Sequence, residues 1–278
     1  MNPIHVFIRG EGPDLVMVHG SGSNADGWMS VVAKLSRDHR LIVYDRRGSG
    51  RSGEIPAGGN SLSSHADDLL AVVQSHCRAA PIVLGASFGG AVALEASRRA
   101  PSVFSALVLS EPPIPAGDDD APFPAPFHDE LKRLAASADP KEASLYFLRH
   151  VLEPEEIARL PRRWLDWTLA MTPAILDDCQ ALMSHRFRSS QLAACTVPVL
   201  LVGGERSKPW FSRSLASLER RLPSARRHVF EGSGHMVHSD VAEEYADLVR
   251  ELSERTRAGL VPPWPPRVLP PYSEGASG

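Results

Sequence analysis

The chain has 278 residues, 43% of them hydrophobic, enough to build one large core or two small ones. Its net charge of −3 argues for neither a nucleic-acid partner nor an anionic membrane surface, and neither is expected. The three cysteines (Cys77, Cys179 and Cys195) are far apart and form no C-x-x-C pair, which excludes a disulfide framework and a zinc site and suits a reducing compartment.

The first residues, MNPIHVFIRG, have no basic start followed by an apolar stretch, so no secretory signal is expected. No apolar run approaches the roughly 20 residues of a membrane helix. A cytoplasmic globule, monomeric or a small homo-oligomer, is the expectation. In chain order, short apolar runs predict strands at Val6–Ile8, Leu15–Val18, Leu41–Tyr44, Ile82–Leu84, Ala106–Leu109, Val197–Val202 and His228–Phe230. Leu62, Ala66, Leu69 and Val73 share one helix face, as do Val241, Tyr245, Leu248 and Leu252. Alternating strands and helices predict an α/β fold, a mostly parallel central sheet covered on both faces.

The alternation stops across 114–192. A loop rich in Pro and Asp opens this stretch, and about four helical patterns follow, Leu131–Ala138 and Glu155–Leu169 among them. The expected organisation is therefore a core of 1–113 and 193–256, an inserted all-helical cap of 114–192, and a Pro-rich tail of 257–278. Proline there forbids helix and favours extended chain. Around Trp264 the tail also has the composition of a proline-recognition ligand.

Three glycine-rich turns carry the candidate chemistry. Gly85-Ala86-Ser87-Phe88-Gly89 is G-x-S-x-G between a strand and a helix. A tight elbow there strains its central residue and projects the Ser87 hydroxyl from the carboxyl edge of the sheet. Val18-His19-Gly20-Ser21-Gly22 follows an earlier strand and offers main-chain N–H groups; those of Ser21 and Phe88 are the candidate oxyanion donors. His19 is read as a brace of that turn. Gly232-Ser233-Gly234-His235 follows the last strand, which places His235 to take the serine proton. His238 is assigned to the start of the final helix. No metal-binding histidine register is present, and neither metal nor cofactor is expected.

His19-Gly20, Asp45-Arg46-Arg47-Gly48-Ser49-Gly50-Arg51-Ser52, the Ser87 elbow and Gly234-His235 together resemble the α/β-hydrolase superfamily over about residues 4 to 256. The resemblance implies that the Asp45–Ser52 segment is a structural loop. It also implies an aspartate after the strand that follows the cap, near Ser207. This chain has Leu201-Val202-Gly203-Gly204-Glu205-Arg206-Ser207-Lys208 there, with no aspartate. Two glutamates remain as partners for His235. One is Glu205, in that loop. The other is Glu111, in Ser110-Glu111-Pro112-Pro113 at the end of the strand next to the nucleophile's, and it is the one preferred. On Glu111 rests a narrower resemblance to fungal lactonases that open zearalenone.

The expected activity is hydrolysis of a small-molecule ester or lactone by Ser87, His235 and Glu111 through an acyl-enzyme. A C–C bond hydrolase, a thioesterase and a non-enzymatic ligand receptor are the alternatives. Of Phe123, Phe127, Tyr146, Phe147 and Phe187 of the insertion, with Trp164 and Trp167 three apart on one helical face, most are expected to pack the insertion onto the sheet, and one or two at a cleft would favour an apolar or aromatic acyl substrate.

Overall fold

The computed structural model describes residues 4–53, 55 and 59–261. The expected tail from residue 262 onward, Trp264 included, lies outside the described residues. Strands β1 (Val6–Arg9), β2 (Asp14–Val18), β3 (Arg40–Tyr44), β4 (Ile82–Ala86), β5 (Ala106–Ser110), β6 (Val199–Gly204) and β7 (Ala225–Phe230) form one 7-stranded sheet in the order β1-β3-β2-β4-β5-β6-β7. Only the β1–β3 pairing is antiparallel. The helices are α1 (Met29–Leu35), α2 (Leu62–His76), α3 (Phe88–Arg99), α4 (Ala125–Ala135), α5 (Lys141–Val151), α6 (Pro154–Arg159), α7 (Arg162–Leu169), α8 (Thr172–Ser184), α9 (Ser189–Ala193), α10 (Pro209–Arg221), α11 (Val237–Asp240) and α12 (Ala242–Arg257).

Side-chain alternation along the strands creates two cores. Val16, Ile42 and Val83 face α2, α3 and α10, whereas Leu15, Val43 and Leu84 face α1 and α12. Strands β2, β4, β5 and β6 are buried throughout, so they read as unbroken apolar runs. All three cysteines are free. Among the described residues no helix is long and apolar enough to cross a membrane.

Helices α4–α9 lie between β5 and β6, where the sequence predicts an all-helical stretch. The single helix expected at Glu155–Leu169 is two, α6 and α7. Pro161 is the reason: its ring forces the preceding residue out of the helical region, and Leu160 sits at φ −62, ψ 134. Buried bonds tie this insertion to the sheet. The Arg46 guanidinium donates to both carboxylate oxygens of Asp178 at 3.0 and 2.6 Å. The Thr168 hydroxyl, fully buried on α7, donates to the Gly22 carbonyl at 2.8 Å. Loss of either partner of the ion pair would leave an uncompensated charge, at a cost of about 3–5 kcal/mol.

Candidate active site

Ser87 occupies the one-residue gap between β4 and α3, at φ 50, ψ −118. Among the described residues only Ser87 and Glu111 combine a side chain with positive φ. Such a conformation costs on the order of 1–3 kcal/mol and persists because the surroundings hold it. The Ser87 N–H donates to the Ser110 carbonyl at 2.8 Å, and its own carbonyl accepts the Gly90 N–H at 2.9 Å. A Cβ on Gly89 would run into the Val18 carbonyl oxygen, so glycine is needed for α3 to pack this closely on β2.

The loop after β2 passes directly beside the serine: a Cβ built on Gly20 would stand 3.2 Å from the Ser87 Cβ. Ser21 lines the same cavity as Ser87. Phe88 opens α3, so its N–H belongs to the first turn, where no carbonyl of the helix reaches. His19 is fully committed. Its Nδ1 lies 2.9 Å from the Gly20 carbonyl, which can only accept, and its Nε2 accepts the Arg46 N–H at 2.9 Å. Burial, with the Arg46 charge second, holds His19 well below the usual histidine value, so it stays neutral. It has no nitrogen left to act as a base.

His235 follows β7 and lines the cavity with Ser87. Its Nδ1 lies 2.6 Å from Glu111 Oε2, and Glu111 is 1% exposed. A carboxylate here accepts, so the proton is assigned to Nδ1 and the lone pair to Nε2. The second Glu111 oxygen, Oε1, accepts the Gly204 N–H at 2.9 Å. The imidazole also stacks on Phe211, with centroids 4.1 Å apart and planes 16° from parallel. Glu205 behaves otherwise. It is exposed and its Oε2 accepts the Gly232 N–H at 2.9 Å. Ser207 is buried, and its hydroxyl has no partner among the described residues.

The shared cavity has a volume of about 50 Å³. Phe147, Leu148, Val151 and Trp164 of the insertion form its apolar wall. Trp167, three residues from Trp164, lines an outer groove with Arg51 and Arg163. Most of the remaining insertion aromatics pack elsewhere: Phe127 stacks on Tyr146 at 5.3 Å and meets Phe123 at 5.1 Å, and Phe187 meets His185 at 4.6 Å. Trp28 and His238 also line the cavity, in tilted ring contact with centroids 4.6 Å apart, and sequence reasoning did not place them there. Burial, with His235 nearby, lowers His238 to about 4. Glu156 of α6, likewise unforeseen, accepts the His235 main-chain N–H at 2.9 Å.

The sequence model of the alpha/beta hydrolase family matches residues 15–248. A pimeloyl-[acyl-carrier protein] methyl ester esterase of Aeromonas hydrophila is 28% identical, over 87% of this chain and 96% of its own. The same-named esterase of Nitrosomonas europaea is 27% identical, over 91% of this chain and 100% of its own. Among solved structures, an alpha/beta hydrolase from Sphaerobacter thermophilus superposes with a TM-score of 0.73 at 26% identity, covering 88% of this chain and 96% of that one.

Proposed function

The chain belongs to the alpha/beta hydrolase family, and from that premise we propose that it hydrolyses a carboxylic ester through an acyl-serine intermediate. One observation carries this reading: a serine at a strained elbow shares a small cavity with a histidine whose far nitrogen sits on a buried carboxylate. Ser87 Oγ attacks the ester carbonyl while His235 Nε2 takes its proton. Glu111 holds the tautomer and stabilises the imidazolium. The N–H groups of Ser21 and Phe88 receive the oxyanion. His235 then gives the proton to the departing alcohol. Water, deprotonated by the same nitrogen, attacks the acyl carbon and releases the acid and a free serine. No cofactor enters either half.

The naming of relatives as methyl ester esterases supports the ester bond as the target. The helical insertion acts as a cap, and its apolar wall selects the acyl group. The wall of Phe147, Leu148, Val151 and Trp164 favours apolar acyl groups. A lactone is the same bond closed into a ring and belongs in the same panel.

The test is Ser87→Ala beside the parent on p-nitrophenyl acetate, butyrate and octanoate, a thioester, a lactone and a diketone. A fluorophosphonate should attach to Ser87 alone, and kcat on the short esters should fall by about 10⁶ in the alanine variant if the three residues act as a unit. Near-normal hydrolysis by Ser87→Ala, or labelling at another serine, refutes the reading. Turnover of the diketone alone replaces the ester with a C–C bond.

A further inference from the structure

The Glu156 carboxylate is 7% exposed and divides its two oxygens between distant segments. Its Oε2 accepts the Glu153 N–H at 2.8 Å, which completes the capping box of α6. Its Oε1 accepts the main-chain N–H of His235, 79 residues away, at 2.9 Å. We propose that Glu156 is a positioning residue, through which the helical insertion sets the orientation of the His235 imidazole. The proposal rests on the role of His235 put forward above.

Three further observations converge on it. First, Gly234 is not among the glycines with positive φ, so its backbone conformation does not call for glycine. A Cβ there would collide with the Glu156 carboxylate. The glycine beside the histidine leaves the room into which this side chain reaches. Second, the start of α6 is anchored independently to the loop after β6, where Lys208 Nζ meets Glu153 Oε2 at 2.8 Å. The insertion therefore spans the loops of both β6 and β7. Third, the neighbouring N–H, that of Gly234, is held from the core by Asp240 Oδ2 at 3.0 Å.

His235 is then fixed by four contacts. Glu111 takes the ring nitrogen, Phe211 takes the ring face, Asp240 holds the residue before it, and Glu156 holds its own main chain. Three belong to the sheet and its helices. The fourth comes from the insertion. Without Glu156 the buried His235 N–H has no acceptor, and the peptide rotates to find one. The ring follows, and Nε2 swings away from Ser87. That misalignment penalises proton transfer in both half-reactions and leaves substrate binding alone, so the loss falls on kcat.

The experiment compares Glu156→Ala, Glu156→Gln and Lys208→Met with the parent on p-nitrophenyl acetate, with melting temperature and the rate of fluorophosphonate labelling measured in parallel. Glu156→Ala should lower kcat and the labelling rate together by about a hundredfold, the usual cost of a misplacement near 1 Å, with KM little changed. Glu156→Gln keeps one oxygen, which should serve the buried His235 N–H and leave the part-buried Glu153 N–H without its acceptor, so most of kcat and of the labelling rate should return while the melting temperature falls. Lys208→Met cuts the insertion's other anchor, so it should lower the melting temperature while kcat stays close to the parent's. A Glu156→Ala variant within about threefold of the parent in kcat overturns the proposal, as does an equal loss in Lys208→Met or a change confined to KM. If Glu156→Ala does not fold, Glu156→Gln decides: a loss as deep as a hundredfold overturns the hydrogen-bond account. Parent activity that survives Ser87→Ala would instead sink the hydrolase reading itself.

Discussion

Replacing Glu111 by glutamine keeps the shape of the side chain and removes one acceptor. In the native arrangement two donors converge on this carboxylate, the Gly204 N–H at 2.9 Å and the His235 Nδ1–H at 2.6 Å, and each finds its own oxygen. Glutamine offers one oxygen and one NH2. With the oxygen toward Gly204, the NH2 faces Nδ1, and His235 must shift its proton to Nε2, where it can no longer take one from Ser87. With the oxygen toward Nδ1, the NH2 opposes the Gly204 N–H, and a buried donor stays unsatisfied at a cost of about 1–3 kcal/mol. The first arrangement avoids that cost, so the inactive tautomer should predominate. By analogy with the acid-to-amide change in serine proteases, kcat should fall by about 10⁴, close to 5.5 kcal/mol of barrier. The assay is kcat at saturating p-nitrophenyl acetate, with circular dichroism to verify the fold. Glu205→Gln is the control. Its carboxylate is exposed and serves only the Gly232 N–H, so its change should stay below about tenfold. An active Glu111→Gln variant beside a crippled Glu205→Gln variant would refute the assignment of the acid.

The two tryptophans of α7 should separate cleanly, because only Trp164 lines the cavity. Trp164→Ala should change KM for butyrate and octanoate esters more than for acetate, while Trp167→Ala leaves all three near the parent; equal effects would contradict this. Acid should destabilise the fold. His238 is lowered from 6.5 to about 4, so its contribution is complete above about pH 6.5 and disappears as the pH falls toward 4. At pH 5 the loss amounts to about 2 kcal/mol, and His19 and His65, both lowered by burial, act in the same direction. Urea unfolding at pH 7 and pH 5 should show the drop, and His238→Phe, which keeps a ring against Trp28, should shrink it by about that amount; an unchanged difference would show that His238 is not its source.

How much of this was legible in the sequence depends on the range of the signal. Strands β2 to β5 announce themselves because burial on both faces demands unbroken apolar runs. The start of β7 does not: Arg226 and Arg227 break the run, and half-buried residues of an outer strand tolerate charge. Helix α10 is not among the expected elements, although Phe211, Leu215, Leu218 and Leu222 repeat at helical spacing behind Pro209. At the site, Ser87 stands between Gly85 and Gly89 and His235 directly after Gly234, each following a strand, a local pattern that can be read directly. The place of Glu111 at a strand end is readable, but its φ of 45 and the bond from its N–H to the Val202 carbonyl of β6 are not, because they depend on residues far along the chain. Glu156 left no mark, because a contact 79 residues away has no local signature. Trp164 and Trp167 looked equivalent as residues three apart, and only the direction of α7 separates them.

The placement of β7 at the edge of the sheet has a consequence for how activity is lost. Ser87 and Glu111 end β4 and β5, interior strands paired on both sides, whereas His235 hangs from a strand paired only to β6. Local openings take less free energy where a ladder is one-sided, so β7 and its loop should open ahead of the interior strands β4 and β5. Amides of Arg227 to Phe230 should then exchange with solvent ahead of those of Leu84 and Leu109. On warming, turnover should vanish while the sheet interior still gives its full far-ultraviolet signal. On the proposed roles, activity would be lost by shedding the base, with nucleophile and acid still in place.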